Sequence, residues 1–439
     1  MVDTVTLTLV LVIVLALFFD FTNGFHDTAN AMATPIATGA LKPKTAVLIA
    51  SILNLVGAFL STEVAKTISG GIIREDQISS DLFPAIIFAG LIGAITWNML
   101  TWLLGLPSSS SHALFGGLIG ATIVGVGYMA IDFSVVMSKV ILPALIAPLT
   151  AGIIAYTATK IAYVITRRYD GRPDGRDGFR PGQIFTSSLV ALAHGTNDAQ
   201  KTMGVITLAL ITAGWQSADN PDPQTWVIIV CGLTIALGTY MGGWRIIRTL
   251  GKGLTDVKPA QGFSAESSTA STILASSALG FALSTTQVAS GSVIGSGLGR
   301  RGSVVRWRTV GRIMVGWLLT LPAAGAVGAG AAFIVVHLGL WGIILDTVIA
   351  AIIVAGLYLR SRRSAVTASN AMSEVAESGT AVKVKRNPPP TRRQRAIARE
   401  EARRRAAADA EAAKAAKVSA GSKPAGPPPK DVTKKGPQR

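Results

Sequence analysis

The stretch Asn23-Gly24-Phe25-His26-Asp27-Thr28-Ala29-Asn30 decides the fold, because it places a glycine and ionisable side chains inside an apolar run long enough to cross a membrane. An acidic side chain within a membrane segment costs about 2.5–3.5 kcal/mol on insertion scales, so such a residue usually belongs to a functional site. We therefore expect Asn23-Gly24 to split residues 5–40 into two half-helices and Asp27 to lie in a functional site.

The pattern of this stretch returns later in the chain. Gly24 and Asp27, together with the nearby Met32, recur 171 residues later as Gly195, Asp198 and Met203. Two hydroxyl-rich segments, Ser109-Ser110-Ser111-His112 and Ser284-Thr285-Thr286-Gln287, are likewise related by a shift of 175 residues. Matched segments in the same order indicate an internal duplication, and we expect a second helix break at His194-Gly195.

The composition is that of a helical membrane protein. Apolar residues make up 49% of the chain and charged residues 15%, and several apolar runs reach the roughly 20 residues that a bilayer core requires. The single cysteine, Cys231, excludes an internal disulfide and a cysteine metal cluster. These features point away from nucleic-acid-binding proteins, although the formal net charge is +17.

Most of that positive charge lies at the carboxyl end of the chain. Residues 360–439 contain 20 Lys and Arg against 7 Asp and Glu, with many alanines and prolines and almost no large apolar side chains. We expect a disordered cytoplasmic tail that is either simply solvated or binds anionic lipid or another polyanion.

Basic loops and apolar runs together predict the domain organisation. Since basic loops stay in the cytoplasm, the amino terminus is expected outside and the tail inside. The predicted units are transmembrane repeat 1 over 1–166, a cytoplasmic linker over 167–182, transmembrane repeat 2 over 183–335, an extra transmembrane helix over 336–360 and the tail over 361–439.

Each repeat contains a pair of apolar arms joined by a hydroxyl-rich tip. The arms 83–106 and 113–128 are expected to form a re-entrant hairpin from the outside, and 262–282 with 288–298 one from the cytoplasm. An odd number of crossings separates equivalent points, so the repeats are expected in opposite orientations. We predict an all-α polytopic membrane protein with two inverted-topology repeats, broken helices and two re-entrant hairpins, an architecture typical of secondary transporters.

The hydroxyl-rich tips predict anion sites. Each tip precedes a helix, and a helix N-terminus with hydroxyl neighbours suits a tetrahedral oxyanion such as phosphate. The hydroxyls concerned are those of Ser109, Ser110, Ser111, Ser284, Thr285 and Thr286. The alternative is that they only cap their own helices.

The carboxylates Asp27 and Asp198 repel an anion, so an anion site beside them requires a proton, Na⁺ or a divalent cation. The alternative is that they are buried partners of His26 and Lys201. Histidine is the side chain that most readily exchanges a proton under physiological conditions, so His26 is a candidate for carrying the coupling proton. Glu266, in the first arm of the second hairpin, either handles protons or marks the water boundary. The candidate coupling-ion residues are therefore His26, Asp27, Asp198 and Glu266.

At these residues the sequence resembles the inorganic phosphate transporter (PiT) family, over about residues 5–360. The resemblance rests on Gly24-Phe25-His26-Asp27-Thr28-Ala29-Asn30-Ala31, His194-Gly195-Thr196-Asn197-Asp198-Ala199-Gln200-Lys201 and the two tips. It implies a phosphate symporter that holds its substrate between both Asp-bearing stretches and both tips. The implied substrate-binding residues are Asp27, Asn30, Ser109, Ser110, Ser111, Asn197, Asp198, Lys201, Ser284, Thr285 and Thr286.

His26 and Lys201 are similar to the bacterial low-affinity, proton-coupled branch of that family, which is associated with neutral divalent metal-phosphate complexes. We therefore predict a secondary active importer of inorganic phosphate, with proton symport, in the plasma (inner) membrane as a homo-oligomer. The alternatives are a sodium-coupled phosphate symporter and a passive anion channel. No hydrolytic or redox constellation is visible, so neither an enzyme activity nor a cofactor is expected, and the metal is left open.

Overall fold

The computed structural model describes residues 4–69, 73–74, 78, 82–167 and 178–371. Over these residues the chain is helical, and its β structure is limited to two isolated bridges, Ile73–Ile131 and Thr255–Val305. The prediction of an all-α protein is therefore confirmed. Beyond residue 371 the predicted basic tail lies outside the described residues.

The described residues form fourteen α-helices: α1 (Thr4–Ala37), α2 (Pro43–Ala58), α3 (Glu63–Ser69), α4 (Phe83–Leu104), α5 (Ser110–Gly125), α6 (Phe133–Val135), α7 (Leu142–Ile165), α8 (Phe179–Thr212), α9 (Thr225–Met241), α10 (Trp244–Arg248), α11 (Pro259–Ala278), α12 (Thr285–Gly299), α13 (Trp307–Leu338) and α14 (Leu340–Arg362). A π-helical segment, Val136–Ile141, joins α6 to α7, and another, Thr249–Gly253, extends α10. Helix α8 begins four residues before the predicted start of the second repeat at 183.

Several helices are suited to a lipid bilayer. Within the described residues, five are long and apolar enough to cross a membrane, or up to seven if two bent helix pairs each count as one span. The second arms of the hairpins are shorter, with 16 residues in α5 and 15 in α12. A full crossing requires roughly 20 residues, so both helices are shorter than a full crossing.

The predicted helix breaks at Asn23-Gly24 and His194-Gly195 are wrong. Helices α1 and α8 are each continuous over 34 residues. The glycines instead allow close helix packing, because a Cβ on Gly24 would collide with the carbonyl oxygen of Ile235 in α9. A Cβ on Gly195 would collide in the same way with the carbonyl oxygen of Asn54 in α2. Small residues permit such backbone approach without interrupting the helix.

The first long helix of each half therefore packs on the second helix of the other half: α1 lies on α9 and α8 lies on α2. The hairpins repeat this correspondence, since α5 packs on α13 and α12 packs on α7. Gly120 closely approaches Gly325 in one pair, and Gly295 approaches Gly152 in the other. The helix contacts of one half thus correspond in pairs to those of the other half.

Candidate functional site

The two carboxylates that the sequence singles out meet in the interior of the protein. Asp27 on α1 and Asp198 on α8 are each at most 1% exposed. The hydroxyl of Thr285, at the start of α12, lies 2.9 Å from Asp198 Oδ2 and 3.3 Å from Asp27 Oδ2. One residue of the second hairpin thus bridges the acidic residues of both repeats.

Both hairpin tips contact Asp27. Ser110 Oγ donates to Asp27 Oδ2 at 3.2 Å, and Thr286 Oγ1 donates to Asp27 Oδ1 at 3.0 Å. Asn30 Nδ2 in turn donates to Thr286 Oγ1 at 3.1 Å. The amides of a helix's first turn have no backbone acceptor within that helix, so the starts of α5 and α12 bring first-turn N–H groups to the same place.

Three of the predicted substrate-binding hydroxyls have structural partners instead. Ser109 Oγ accepts a hydrogen bond from the amide of His112 at 3.1 Å, and Ser284 Oγ accepts one from the amide of Gln287 at 3.3 Å. These two serines cap their own helices, as the alternative interpretation of the tips predicts. Ser111 Oγ donates to the carbonyl oxygen of Leu283 at 3.0 Å and so ties the two tips together.

Basic side chains surround the two carboxylates. Lys201 Nζ forms a buried ion pair with Asp198 Oδ1, and His26 Nδ1 lies 2.7 Å from Asp27 Oδ1. Both pairings that the sequence offers as alternatives are thus present. His26 Nε2 faces the hydroxyl of Ser108 at 3.3 Å. The carboxylates therefore share their hydrogen-bonding capacity between basic groups and hairpin hydroxyls.

Sequence reasoning assigns no role to His194, which the structure places at the centre of this site. His194 Nε2 lies 2.5 Å from Asp198 Oδ2 and 3.8 Å from Asp27 Oδ2. Its position four residues before Asp198 puts both side chains on one helix face, and this spacing is the signal that could have found it. Ligand atoms of Asp27, His194 and Asp198 all lie within 4.8 Å of one another, close enough to hold a metal ion together.

Two other predicted residues lie in separate contacts. Asn197 Nδ2 donates to Ser277 Oγ at 3.0 Å and to the carbonyl oxygen of Phe281 at 3.3 Å, at the turn of the second hairpin. Glu266 accepts hydrogen bonds from Thr34 at 2.6 Å, Gln183 at 3.0 Å and Thr186 at 2.7 Å. Asn197 thus holds the second hairpin in place, and Glu266 links the C-terminal end of α1 to the N-terminal end of α8.

Neighbouring serines of the first tip should respond differently to substitution. Ser109→Ala removes an N-cap, which costs about 1 kcal/mol of stability, and should leave phosphate affinity within about twofold. Ser110→Ala removes a hydroxyl that can turn from Asp27 to the bound anion. A hydrogen bond to a charged group is worth about 1.5–3 kcal/mol, so its loss should raise the KM for phosphate about tenfold or more. Melting temperature and phosphate uptake by both variants check this, and equal KM values would contradict the division of roles.

The sequence profile of the phosphate transporter family matches the chain twice, over residues 23–174 and 166–328. A probable low-affinity inorganic phosphate transporter of Mycobacterium tuberculosis is 54% identical over 356 residues, covering 81% of this chain and 84% of the relative. The Bacillus subtilis protein of the same description is 41% identical over 319 residues, covering 73% and 94%.

A solved structure of a sodium-dependent phosphate transporter has the same fold, with a TM-score of 0.67, 23% identity, and coverage of 76% of this chain and 100% of that chain. Together with the apolar helices, these matches make the chain an integral membrane protein and a transporter, not an enzyme. They also confirm the resemblance carried by the two Asp-bearing stretches and the two tips. This chain belongs to the phosphate transporter family.

Proposed function

We propose that this protein is a secondary active importer of inorganic phosphate that moves its substrate together with a cation, most favourably a proton. The observation that carries the proposal is the meeting of Asp27 and Asp198 with hydroxyls from both hairpin tips in one buried cluster. Phosphate would bind at the starts of α5 and α12, where first-turn amides and hydroxyls converge.

The charges of the cluster supply the physical reason for cation coupling. Lys201 neutralises Asp198, which leaves the negative charge of Asp27 to be balanced before an anion can bind beside it. A proton on the histidines that contact the carboxylates would supply that balance. A divalent cation carried with phosphate as substrate would supply it as well, with Asp27, His194 and Asp198 as its ligands. Asn30 Oδ1 is buried and has no hydrogen-bond partner among the described residues, so it would be a further oxygen ligand for that cation.

The hydroxyl groups of the two hairpin tips couple the binding of phosphate to the binding of the cation. A hydroxyl has a single O–H, which points either at a carboxylate or at a phosphate oxygen. When Ser110, Thr285 and Thr286 turn to phosphate, Asp27 and Asp198 lose donors and gain affinity for a proton or a metal ion. Binding of the anion and of the cation therefore favour one another.

Alternating access follows from the pairing of the repeats. The matched contacts of α1 on α9 and α8 on α2 support two equivalent halves around the site. In inverted orientation, the first hairpin would face the outside and the second the cytoplasm, so the site would open to one side at a time. The amino terminus then lies outside and the basic tail in the cytoplasm of a plasma membrane.

Uptake of radiolabelled phosphate into proteoliposomes tests this function. We expect accumulation driven by an inward proton gradient, and an uptake rate at least tenfold lower for Asp27→Asn, since the loss of a charged contact worth about 1.5–3 kcal/mol changes an equilibrium by roughly that factor. Accumulation that follows Na⁺ and ignores pH would overturn the proton assignment. Flux that never exceeds equilibrium would favour the anion channel.

A further inference from the structure

A fully buried acidic residue, Asp20, lies on α1 outside the contacts described above. Its Oδ1 accepts one hydrogen bond, from Thr202 Oγ1 of α8 at 2.9 Å. Its Oδ2 has no hydrogen-bond partner among the described residues, and neither has the side-chain oxygen or nitrogen of the neighbouring Asn23. Both residues have no solvent exposure. This is an unusual number of unsatisfied polar atoms for the interior of a folded protein.

Asp20 belongs to a polar stripe that leads to the phosphate site. The spacing of Asp20, Asn23, Asp27, Asn30 and Thr34 alternates between three and four residues, which places them on one face of α1. All five are buried. Asp20 lies seven residues before Asp27, about 10 Å along the helix axis. Beyond Asp27 the stripe ends at Thr34, which donates to Glu266.

The duplication shows that Asp20 is not required for packing. The positions equivalent to Asp20 and Thr202, by the shift of 171 residues, are Ala191 and Ala31. Both alanines are buried in the same apolar cluster. The fold thus accommodates two methyl groups where this half has a carboxyl and a hydroxyl, so the polar pair is an addition that packing alone does not explain.

The surroundings of Asp20 favour a proton over a metal ion. The charged and titratable groups within electrostatic reach are Asp198, His194 and Lys201 on α8 and Cys231 on α9. No basic group bonds to it directly among the described residues, and an isolated buried carboxylate takes up a proton rather than stay ionised. One carboxyl and one amide oxygen are far fewer than the six or more oxygens that a hard cation usually gathers.

We propose that Asp20 is a proton-binding site of this transporter, from which the coupling proton enters or leaves the polar stripe. A proton on Oδ2 makes the carboxyl neutral, and its release toward Asn23 and the phosphate site leaves a carboxylate that pairs with Lys201 when that ammonium parts from Asp198. This inference rests on the proposed proton-coupled transport. It adds a second proton-binding residue, separate from the carboxylates that contact the hairpin tips.

The substitution Asp20→Asn tests the proposal in purified full-length protein and in proteoliposomes. We expect exchange of labelled for unlabelled phosphate within about twofold of wild type, since Asp20 does not contact the hairpin tips, and pH-driven accumulation lowered about tenfold or more. Asp20→Glu, which keeps a carboxyl, should restore accumulation. The matched control is Asp346→Asn, which changes another buried carboxyl, in α14, and should behave as wild type.

An infrared measurement keeps the test independent of transport. Wild-type protein taken through a pH step should show the C=O stretch of protonated carboxyls, to which the buried Glu266 and Asp346 can also contribute. Asp20→Asn should lower the intensity of this band by one carboxyl, and Asp346→Asn should keep the part that comes from Asp20. An unchanged band in Asp20→Asn, or pH-driven accumulation at the wild-type level, would overturn the assignment of Asp20. Failure of the wild type to move phosphate would instead contradict the proposed function, and the infrared band would still decide whether Asp20 binds a proton.

Discussion

Asp198→Asn is expected to stop phosphate uptake and to destabilise the protein at the same time, because it removes a site carboxylate and leaves the ammonium of Lys201 buried without its partner. Both side chains of this ion pair are fully buried. Breaking a buried pair by removing one member costs about 3–5 kcal/mol. Uptake should fall below about one-tenth of the wild-type rate, and thermal unfolding in detergent should shift to lower temperature.

The double variant Asp198→Asn/Lys201→Met separates the two effects. It removes both charges, and an uncharged pair of similar volume is often as stable as the ion pair that it replaces. We expect thermal stability to return close to that of wild type while uptake stays low. Uptake by the double variant at the wild-type rate would show that Asp198 serves only as the partner of Lys201, and would remove it from the proposed site.

Gly120→Ala and Gly295→Ala should each destabilise the contact between a hairpin and its neighbouring long helix. A Cβ at Gly120 would collide with the carbonyl oxygen of Gly325, and one at Gly295 with that of Gly152. Both obstacles are backbone atoms that cannot rotate away, so we expect a loss of about 1–3 kcal/mol from overpacking in each variant. Melting temperature and uptake rate measure the effect.

The control for these glycine variants is Gly330→Ala, since a Cβ at Gly330 meets no atom within 4 Å. Alanine is the better helix former by about 1 kcal/mol, so this variant should be as stable as wild type or more so. The double variant Gly120→Ala/Gly295→Ala should show the sum of the single losses, because the two contacts share no partner. A Gly120→Ala protein with wild-type stability would mean that α5 and α13 do not pack so closely.

Much of the architecture follows from the chain's apolar runs and its repeated motifs. Helix identity, the hairpin arms and the convergence of Asp27 and Asp198 were all within reach of the sequence, because polar islands repeated at matched positions in apolar runs indicate a duplicated buried site. The predicted helix breaks, by contrast, were wrong. Asn23-Gly24 signals a turn by local propensity. A long helix can nevertheless continue through a glycine when a neighbouring backbone packs against it. The neighbour of Gly24 is α9, which begins only at Thr225, so the sequence around Gly24 does not reveal this contact.

The detailed chemistry of the site was harder to predict for a related reason. Which serine of a tip caps its helix and which contacts a carboxylate depends on where the helix starts, and a boundary is uncertain by a residue or two. Ser109 precedes α5 and caps it, whereas Ser110 is the first residue of α5 and contacts Asp27. His194 could have been found from its spacing of four residues to Asp198. Asp20 was missed because its contact with Thr202 joins α1 to α8, and local sequence patterns do not encode such a contact.

The exchange of partners between the repeats has a consequence for biosynthesis. Helix α1 ends at Ala37, whereas α9, on which it packs, begins at Thr225. At a synthesis rate of about 5–20 residues per second, the ribosome needs roughly 10–40 s to supply that partner. For the part of this interval before α8, which begins at Phe179, is made, α1 holds Asp20, Asn23 and Asp27 in the insertion machinery or the lipid without their final neighbours from α8. Its retention there must then depend on its apolar residues.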